Sequence, residues 1–514
     1  MEEKKLTIPL NRVEGDLEVI LSIDKNNFVT NSWVKGTMYR GFEQILIKKE
    51  YKSGLVYTPR ICGICGTAHL YAAVNALEDA LQCCVPKNAI RIRNICLMSE
   101  EVQSDCRHTL LMFLIDLCNE KYKNNKYFSL INEYFKPLTG KYYKEAIHYT
   151  KKLLEIIAIF GGQWPHSHYM IPGGVTFYPN KKSIITCIQI LDEYIRWYEE
   201  SILGCSLEEW NNSKTINDFQ NWINQNQKRK NSVLGLFTRM GRDIKLHKLG
   251  VVESNFLHYG SYLDSEKYQP GIDRATIRKG GFYKAKEKEI NEFNEFKIKE
   301  HLKYSFYKAE TNEKDIHPSE KRTIPFFQKD SHQYSWVTAP RYDNFVVEVG
   351  PLAELIIDED PLITDFYRKE KSNVWLRQFS RIQRPAKTLI LLKKELNQLL
   401  KDFKEDYYIP INESKDHFKG TGFINAARGA LAHWIEFEDC KIKKYQIITP
   451  TNWNASPRDN YDILGHWEQS FIGTHIESLE NPLEIGHIVR SHDACLVCSV
   501  HFLEKEKFNF KVLI

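Results

Sequence analysis

The chain has 514 residues, of which 42% are hydrophobic and 27% charged. That balance excludes a mainly disordered, collagen-like or membrane-embedded chain. A net charge of +5 on 71 basic and 66 acidic residues speaks against a general binder of nucleic acid or anionic surfaces. No apolar run of about 18 residues occurs, so no membrane span is expected. Met1-Glu2-Glu3-Lys4-Lys5-Leu6 lacks the apolar run of a signal peptide. The expected compartment is the cytosol, with export or membrane association only through partners.

In chain order, alternation predicts strands over Leu17–Asp24 and Phe28–Val34 around a turn at Asp24–Asn27. Apolar residues at helical spacing predict helices over Leu70–Leu81, Asn88–Cys118, Tyr143–Phe160 and Ser183–Leu203. From about 206 to 330 the sequence is rich in Lys, Glu, Asn and Asp and reads as a charged, variable, peripheral insertion. Asn373–Phe403 is helical again, interrupted or bent near Pro385. Ala432–Glu438 and Lys441–Thr449 read as strands around a turn at Asp439-Cys440. No repeat period and no low-complexity linker divides the chain. The expectation is one α+β unit over 1–514, predominantly helical: a bundle of long helices with small peripheral hairpins and sheets.

Twelve cysteines are too few for a disulfide scaffold of this length, so paired cysteines point to metal or catalysis. Cys62 and Cys65 form one C-x-x-C pair; Cys495 and Cys498 form a second, roughly 430 residues later. The other eight read mostly as buried apolar residues. Glycines around the first pair let backbone approach an ion, and a helix predicted to start near Cys65 puts its positive end there. Arg60 close by should further favour thiolates. Four thiolates suit zinc, iron–sulfur or nickel, and spacing alone favours a structural zinc or iron–sulfur clasp.

The residues around the pairs point elsewhere. Arg60–His69 (RICGICGTAH) and His492–His501 (HDACLVCSVH) resemble the large subunit of nickel–iron hydrogenases. So do Arg12-Val13-Glu14-Gly15, Gly36–Glu43 (GTMYRGFE), Ala339–Tyr342 (APRY), Glu348–Leu352 (EVGPL), Ala427–Leu431 (ARGAL) and Pro450–Asn454 (PTNWN), in the family's order. The resemblance is weakest across 206–330. The chain departs from the family at Ala494 and Ala427, where proline is usual or common, at Asp16, where histidine is common, and at Glu354, where arginine is usual. The variants at Ala494, Ala427 and Asp16, with Ser104-Asp105-Cys106-Arg107 and CGICG, look closer to the cytosolic uptake-and-sensor branch, and no site is expected at Glu354.

The resemblance implies a buried site where the two ends of the chain meet, holding a nickel–iron centre whose iron carries CO and CN ligands. By motif, Cys62 and Cys495 are terminal nickel ligands, while Cys65 and Cys498 bridge to iron. Cys495 is the proton acceptor, and Glu14 is the first relay, where an ordinary glutamate would be a surface strand residue. Arg428 lies over the open metal position, held by Asp105 and Asp493. Ala427, Arg428 and Thr451 contact the iron's ligands. Glu43, the carbonyl of Ile447 and His501 hold a structural Mg2+. His69 is expected beside the site and not as a ligand. Phe502–Ile514 is expected to be a cleavable extension. The implied activity is uptake hydrogenase, H2 to two protons and two electrons; the alternative is a slowly turning-over H2 sensor. Implied partners are an iron–sulfur small subunit, a maturation endopeptidase and nickel-insertion chaperones, because no spare cysteine group is left to carry electrons.

Overall fold

The computed structural model describes residues 4–270, 274–309, 316–320, 323–328, 331–411 and 417–496. Cys498, His501 and the extension 502–514 lie outside them.

A three-stranded antiparallel meander opens the chain: β1 (Lys4–Pro9), β2 (Leu17–Ile23) and β3 (Val29–Gly36). Long helices follow. In α1 (Gly66–Leu81) every residue but Asp79 is buried, so the helix is central and not merely amphipathic. α2 (Lys87–Arg107) packs beside it, α3 (Lys141–Gly161) packs on α2, and α4 (Lys181–Trp197) packs on α3. The stretch predicted as one helix to Cys118 does not stay α-helical. At His108 it widens into a π turn, His108–Phe113, and then tightens to a 3-10 turn, Leu114–Cys118. α4 likewise runs into a π turn, Tyr198–Leu203. Apolar spacing cannot register such one-residue slips, because Leu110, Phe113 and Leu203 remain buried on the same side.

The segment 206–330 is not uniformly peripheral. Trp210, Phe219 and Trp222 are buried in the main core, as are most residues of α5 (Val233–Asp243). β4 (Asn255–Leu263) forms the middle of a four-stranded sheet with β5 (Thr276–Lys284), β6 (Glu289–Asn291) and β7 (Val347–Glu348). The β5–β6 hairpin shows the exposed, charged face that composition suggested; averaged composition had hidden the aromatic anchors.

After α6 (Pro351–Ile357) comes α7 (Val374–Lys401), 28 residues long and continuous through Pro385. Proline leaves a carbonyl one turn back without its N–H, and beside it Tyr198 donates its hydroxyl to Ile382 O. Last come the antiparallel strands β8 (His417–Ala426), β9 (Gly429–Glu438) and β10 (Lys441–Ile448). The β9–β10 turn has both Asp439 and Cys440 at positive φ, 51° and 58°, the turn that matches strand twist. α1 lies directly on β8. A Cβ at Gly420 or Gly422 would sit 2.1 or 2.0 Å from Ala76 O or Ala72 O, so only glycine permits that approach. α8 (Leu483–Ser491) then leads to the second cysteine pair.

The termini meet as expected. Glu14 N–H donates to Ala494 O at 3.1 Å and Leu496 N–H to Glu14 O at 2.6 Å, a parallel bridge between Glu14 and Cys495. Asp116, on the 3-10 turn, clasps Arg12 and accepts from Arg490 Nε at 2.6 Å, tying the Glu14 loop to α8. Among the described residues no helix is long and apolar enough to cross a membrane. The architecture is the expected α+β, helix-rich one.

Candidate metal centre

Cys62 follows a short 3-10 turn, Thr58–Arg60, and Cys65 is the N-cap of α1. Cys65 makes no side-chain capping bond, so its sulfur is not spent on the helix. The end's spare donors, Thr67 N–H and Ala68 N–H, go instead to the Glu100 carboxylate from α2, at 3.0 and 3.1 Å. Burial pushes Glu100 up to about 7 despite these bonds. Ile64 N–H points at Cys62 Sγ, 3.3 Å away.

From the other end of the chain, Cys495 brings its Sγ to 3.5 Å from Cys62 Sγ. The sulfurs of Cys62, Cys65 and Cys495 all lie within 4.8 Å of one another, all buried, and none is in a disulfide. Three soft donors converging in a dry site are what a thiolate-bound transition metal requires. The cation beside them is not Arg60, which is exposed and turned toward Val56 O and His168. It is Arg428, buried, with Cys495, Cys65 and Cys62 among the charges it faces. Arg428 Nε donates to Asp493 O at 3.0 Å and Nη2 meets Asp493 Oδ1 at 3.1 Å. Its Nη1 is buried with no acceptor among the described residues. An orphaned guanidinium N–H beside three buried thiols fits a centre that brings its own acceptors.

Asp493 sits at a positive φ of 59°. Burial alone would raise its carboxyl, but Arg428, His108 and Arg381 outweigh it and hold it below the usual range. Asp105 does not reach Arg428. Its carboxylate pairs with Arg384 at 2.8 Å on both oxygens and with Arg381 at 3.3 Å. Ala427 is buried, and its carbonyl accepts from Arg384 Nη2 at 2.6 Å. Thr451 Oγ1 accepts the Cys495 N–H at 3.2 Å, leaving its own proton to donate.

Glu14 lies opposite Cys495 and is half-buried. Burial and then Cys62 push its carboxyl up, while Arg428 and Arg107 pull it back. His69 is buried and lies against His433 at 3.2 Å, which meets the Tyr445 hydroxyl at 2.9 Å. Burial lowers His69 to about 4, so the ring is neutral.

Glu43 is buried and accepts the Ile447 N–H at 2.7 Å. In a strand the N–H and C=O of one residue point to the same edge, so the Ile447 carbonyl faces that side too. Burial, then Glu300, pushes Glu43 up to about 8; Glu300 itself rises to about 7 through burial. His501, the third expected ligand here, is outside the described residues.

A second convergent set is Glu348, His466 and His492; Glu348 and His492 open two of the motifs, EVGPL and HDACLVCSVH, but no site was expected at either residue. Glu348 already accepts from Ser254 at 2.7 Å, Ser372 at 2.6 Å and Arg377 at 2.9 Å. Burial would raise it, but Arg377 and His466 hold it well below the carboxylate range. With its oxygens so engaged, it is an anchor that ties Ser254, Ser372 and the start of α7 together.

A sequence profile described as nickel-dependent hydrogenase matches residues 40–119 and 116–501. The chain belongs to that family. The periplasmic [NiFeSe] hydrogenase large subunit of Desulfomicrobium baculatum is 28% identical, covering 97% of this chain and 95% of that one. The uptake hydrogenase large subunit of Rhizobium leguminosarum bv. viciae is 26% identical, at 97% and 95% coverage. A reduced Ni-Fe-Se hydrogenase from D. vulgaris Hildenborough superposes with a TM-score of 0.81 at 25% identity, covering 97% and 100%. The chain is thus a nickel–iron hydrogenase large subunit, an oxidoreductase whose family implies a nickel–iron centre.

Proposed function

We propose that this is the catalytic subunit of an uptake hydrogenase, oxidising H2 to two protons and two electrons that pass to an iron–sulfur small subunit. The observation that carries the reading is the meeting of Cys62, Cys65 and Cys495 beneath the orphaned Nη1 of Arg428. Cys62 and Cys495 would hold nickel, and Cys65, with Cys498, would bridge it to an iron bearing CO and CN. When bound, that group supplies the acid site at which H2 is polarised. The protein's own part is electrostatic and protonic. Arg428 keeps a fixed charge over the thiols, and Thr451 and the Ala427–Arg428 backbone offer contacts to the iron's ligands. Cys495 takes the proton, and Glu14, across the backbone bridge, accepts it next. A carboxyl raised by burial yet checked by two arginines can both take and release a proton.

The electrons need a second chain. Among the described residues only two groups of metal-capable side chains form: the thiols and the Glu348 set. Purified with its small subunit, the protein is expected to show CO and CN infrared bands, nickel and iron together, and sustained dye reduction with H2. The large subunit alone should give none of that turnover, and slow turnover in the complex would favour the sensor reading. The relatives do not specify the cytosolic branch or a cytosolic location: one is named an uptake hydrogenase and one periplasmic.

Phe502–Ile514, 13 residues, is proposed as a pro-segment removed by a maturation endopeptidase after chaperones insert nickel. Mass spectrometry of active protein should find the chain ending at His501; an intact Ile514 end refutes the proposal. The segment 206–330 remains proposed as the family-variable part of one 514-residue unit, anchored as described.

Glu43, the Ile447 carbonyl and His501 are proposed to hold Mg2+. Without magnesium, Glu43 and Glu300 keep their protons in the folded state at pH values where the unfolded chain has lost them. Stability should therefore fall as pH rises from about 4.5 through 7 and 8, then level off. Added Mg2+ should raise Tm more at pH 8 than at pH 6, because protons compete less. Calorimetry on Glu43→Gln should lose that Mg2+ response; a Tm indifferent to Mg2+ in the unaltered protein argues against the site.

A further inference from the structure

Arg428 sits on a two-residue hairpin tip, Ala427-Arg428, between β8 and β9, whose ends Ala426 and Gly429 pair. Neither tip residue has the positive φ of the turns that match strand twist, so the tip is not held by its own backbone. It is held from outside. Gly429, at φ 117°, lies so close to the loop before α6 that a Cβ there would meet Gly350 N at 2.5 Å. On the other side stands α7, which presents Arg377, Arg381 and Arg384 on one face, all buried.

The geometry points to Arg381 and Arg384 as positioning residues for the Arg428–Asp493 pair, with Asp105 as their common pivot. Arg384 grips Asp105 with Nε and Nη2, both at 2.8 Å, and the same Nη2 donates to Ala427 O, one residue before Arg428. Arg381 Nη1 lies between Asp105 Oδ1 at 3.3 Å and Asp493 Oδ2 at 3.4 Å, while Arg428 takes Asp493 Oδ1. One carboxylate thus fixes both halves of the pair through two arginines of one helix. One arginine sets the backbone that carries the guanidinium; the other sets the carboxylate facing it.

The far end of the lattice is closed by Glu354. It meets Arg384 Nη1 at 3.1 Å and also pairs with Arg278, whose Nη2 reaches Thr388 at 3.1 Å. An arginine at this position would put a third buried positive charge beside Arg278 and Arg384; the acidic residue here, together with Glu101 at 3.2 Å from Arg384 Nε, supplies the counter-charge at that end of the row. An electrostatic catalyst works only when held to about half an ångström, and a long buried helix is a stiffer frame than a hairpin tip.

The inference rests on the proposed role of Arg428, and the experiment separates the two. In the complex, Arg428→Lys should slow H2 oxidation; unchanged turnover overturns both that role and this inference. Given that slowing, Arg381→Gln and Arg384→Gln should keep nickel and iron, keep KM for H2 within about 2-fold, lower kcat by about 10-fold or more, and shift the CN infrared bands. Arg381→Lys should restore most of the rate, since one ammonium can still face both carboxylates. Arg384→Lys should not, because it cannot grip Asp105 twice and reach Ala427 O. Added to Arg428→Lys, Arg381→Gln should cost less than about 2-fold more, as expected of residues acting through one another. Metal-replete variants with unshifted bands and kcat within about 2-fold, or effects that multiply in the double variant, overturn the inference while leaving the Arg428 role standing. If the glutamine variants do not accumulate, Arg384→Lys decides: shifted bands support the inference and unshifted bands refute it.

Discussion

Serine at Cys495 is expected to abolish H2 oxidation and to cut nickel content by about 10-fold or more, the largest single effect in the molecule. The substitution is nearly isosteric, so it tests the sulfur and not the packing. A hydroxyl does not ionise where a thiol does, and it is a hard donor in a set that needs soft ones. Cys495 N–H should still donate to Thr451 and Glu14 should still bridge this segment, so the backbone frame persists. The control is Cys106→Ser, a buried cysteine of α2 outside the sulfur group, which should keep its nickel. Nickel and iron are quantified by elemental analysis of the purified complex, with urea unfolding to show both variants folded. Full nickel in Cys495→Ser, or zinc in place of nickel in the unaltered enzyme, removes the basis of the proposed chemistry.

Much of this was legible in the sequence because it was written locally. C-x-x-C pairs, a helix beginning at Cys65, the strands of the first meander and the turn at Asp439-Cys440 all follow from short-range chemistry. What joins the ends was legible only through motif likeness: nothing in the spacing of Cys62 and Cys495 says that 433 residues apart they will lie 3.5 Å apart. The misses are of another kind. Asp105 was assigned to the right neighbourhood and the wrong partner, because a carboxylate's partner is chosen by tertiary packing. The α7 arginines carried a signal that was passed over: three cations at i, i+4 and i+7 share one face with Val374, Phe379 and Ile382 close by, and if that face is buried they must find acids inside the protein. Glu354 was set aside as a departure from the family, yet its carboxylate is buried and pairs with Arg384 of that row and with Arg278. In 206–330, charges are spread over exposed stretches that include the β5–β6 hairpin, while Trp210, Phe219 and Trp222 hold the segment to the core, a signal that an average over 125 residues dilutes.

Glu14→Gln should lower kcat by about 100-fold or more, within the range attributed to loss of a general acid–base group, while metal content, CN bands and KM for H2 stay near their unaltered values. Glutamine keeps the volume, and the residue's backbone bonds to Ala494 O and Leu496 N–H do not depend on its side chain. Only the ability to pick up and pass a proton is removed. The surroundings say why this residue and not another: burial and Cys62 favour the protonated form, Arg428 and Arg107 favour the charged one, and the balance lets the carboxyl change state without moving. Exchange of deuterium from D2 into water should collapse along with turnover, because both need the same first transfer, whereas an electron-transfer defect would spare exchange. Glu14→Asp, which keeps the carboxyl but shortens its reach, should lie between the two. Near-normal turnover and exchange in Glu14→Gln would assign the relay to another group, and the half-buried glutamate beside Cys495 would be only a strand residue at the seam between the two ends of the chain.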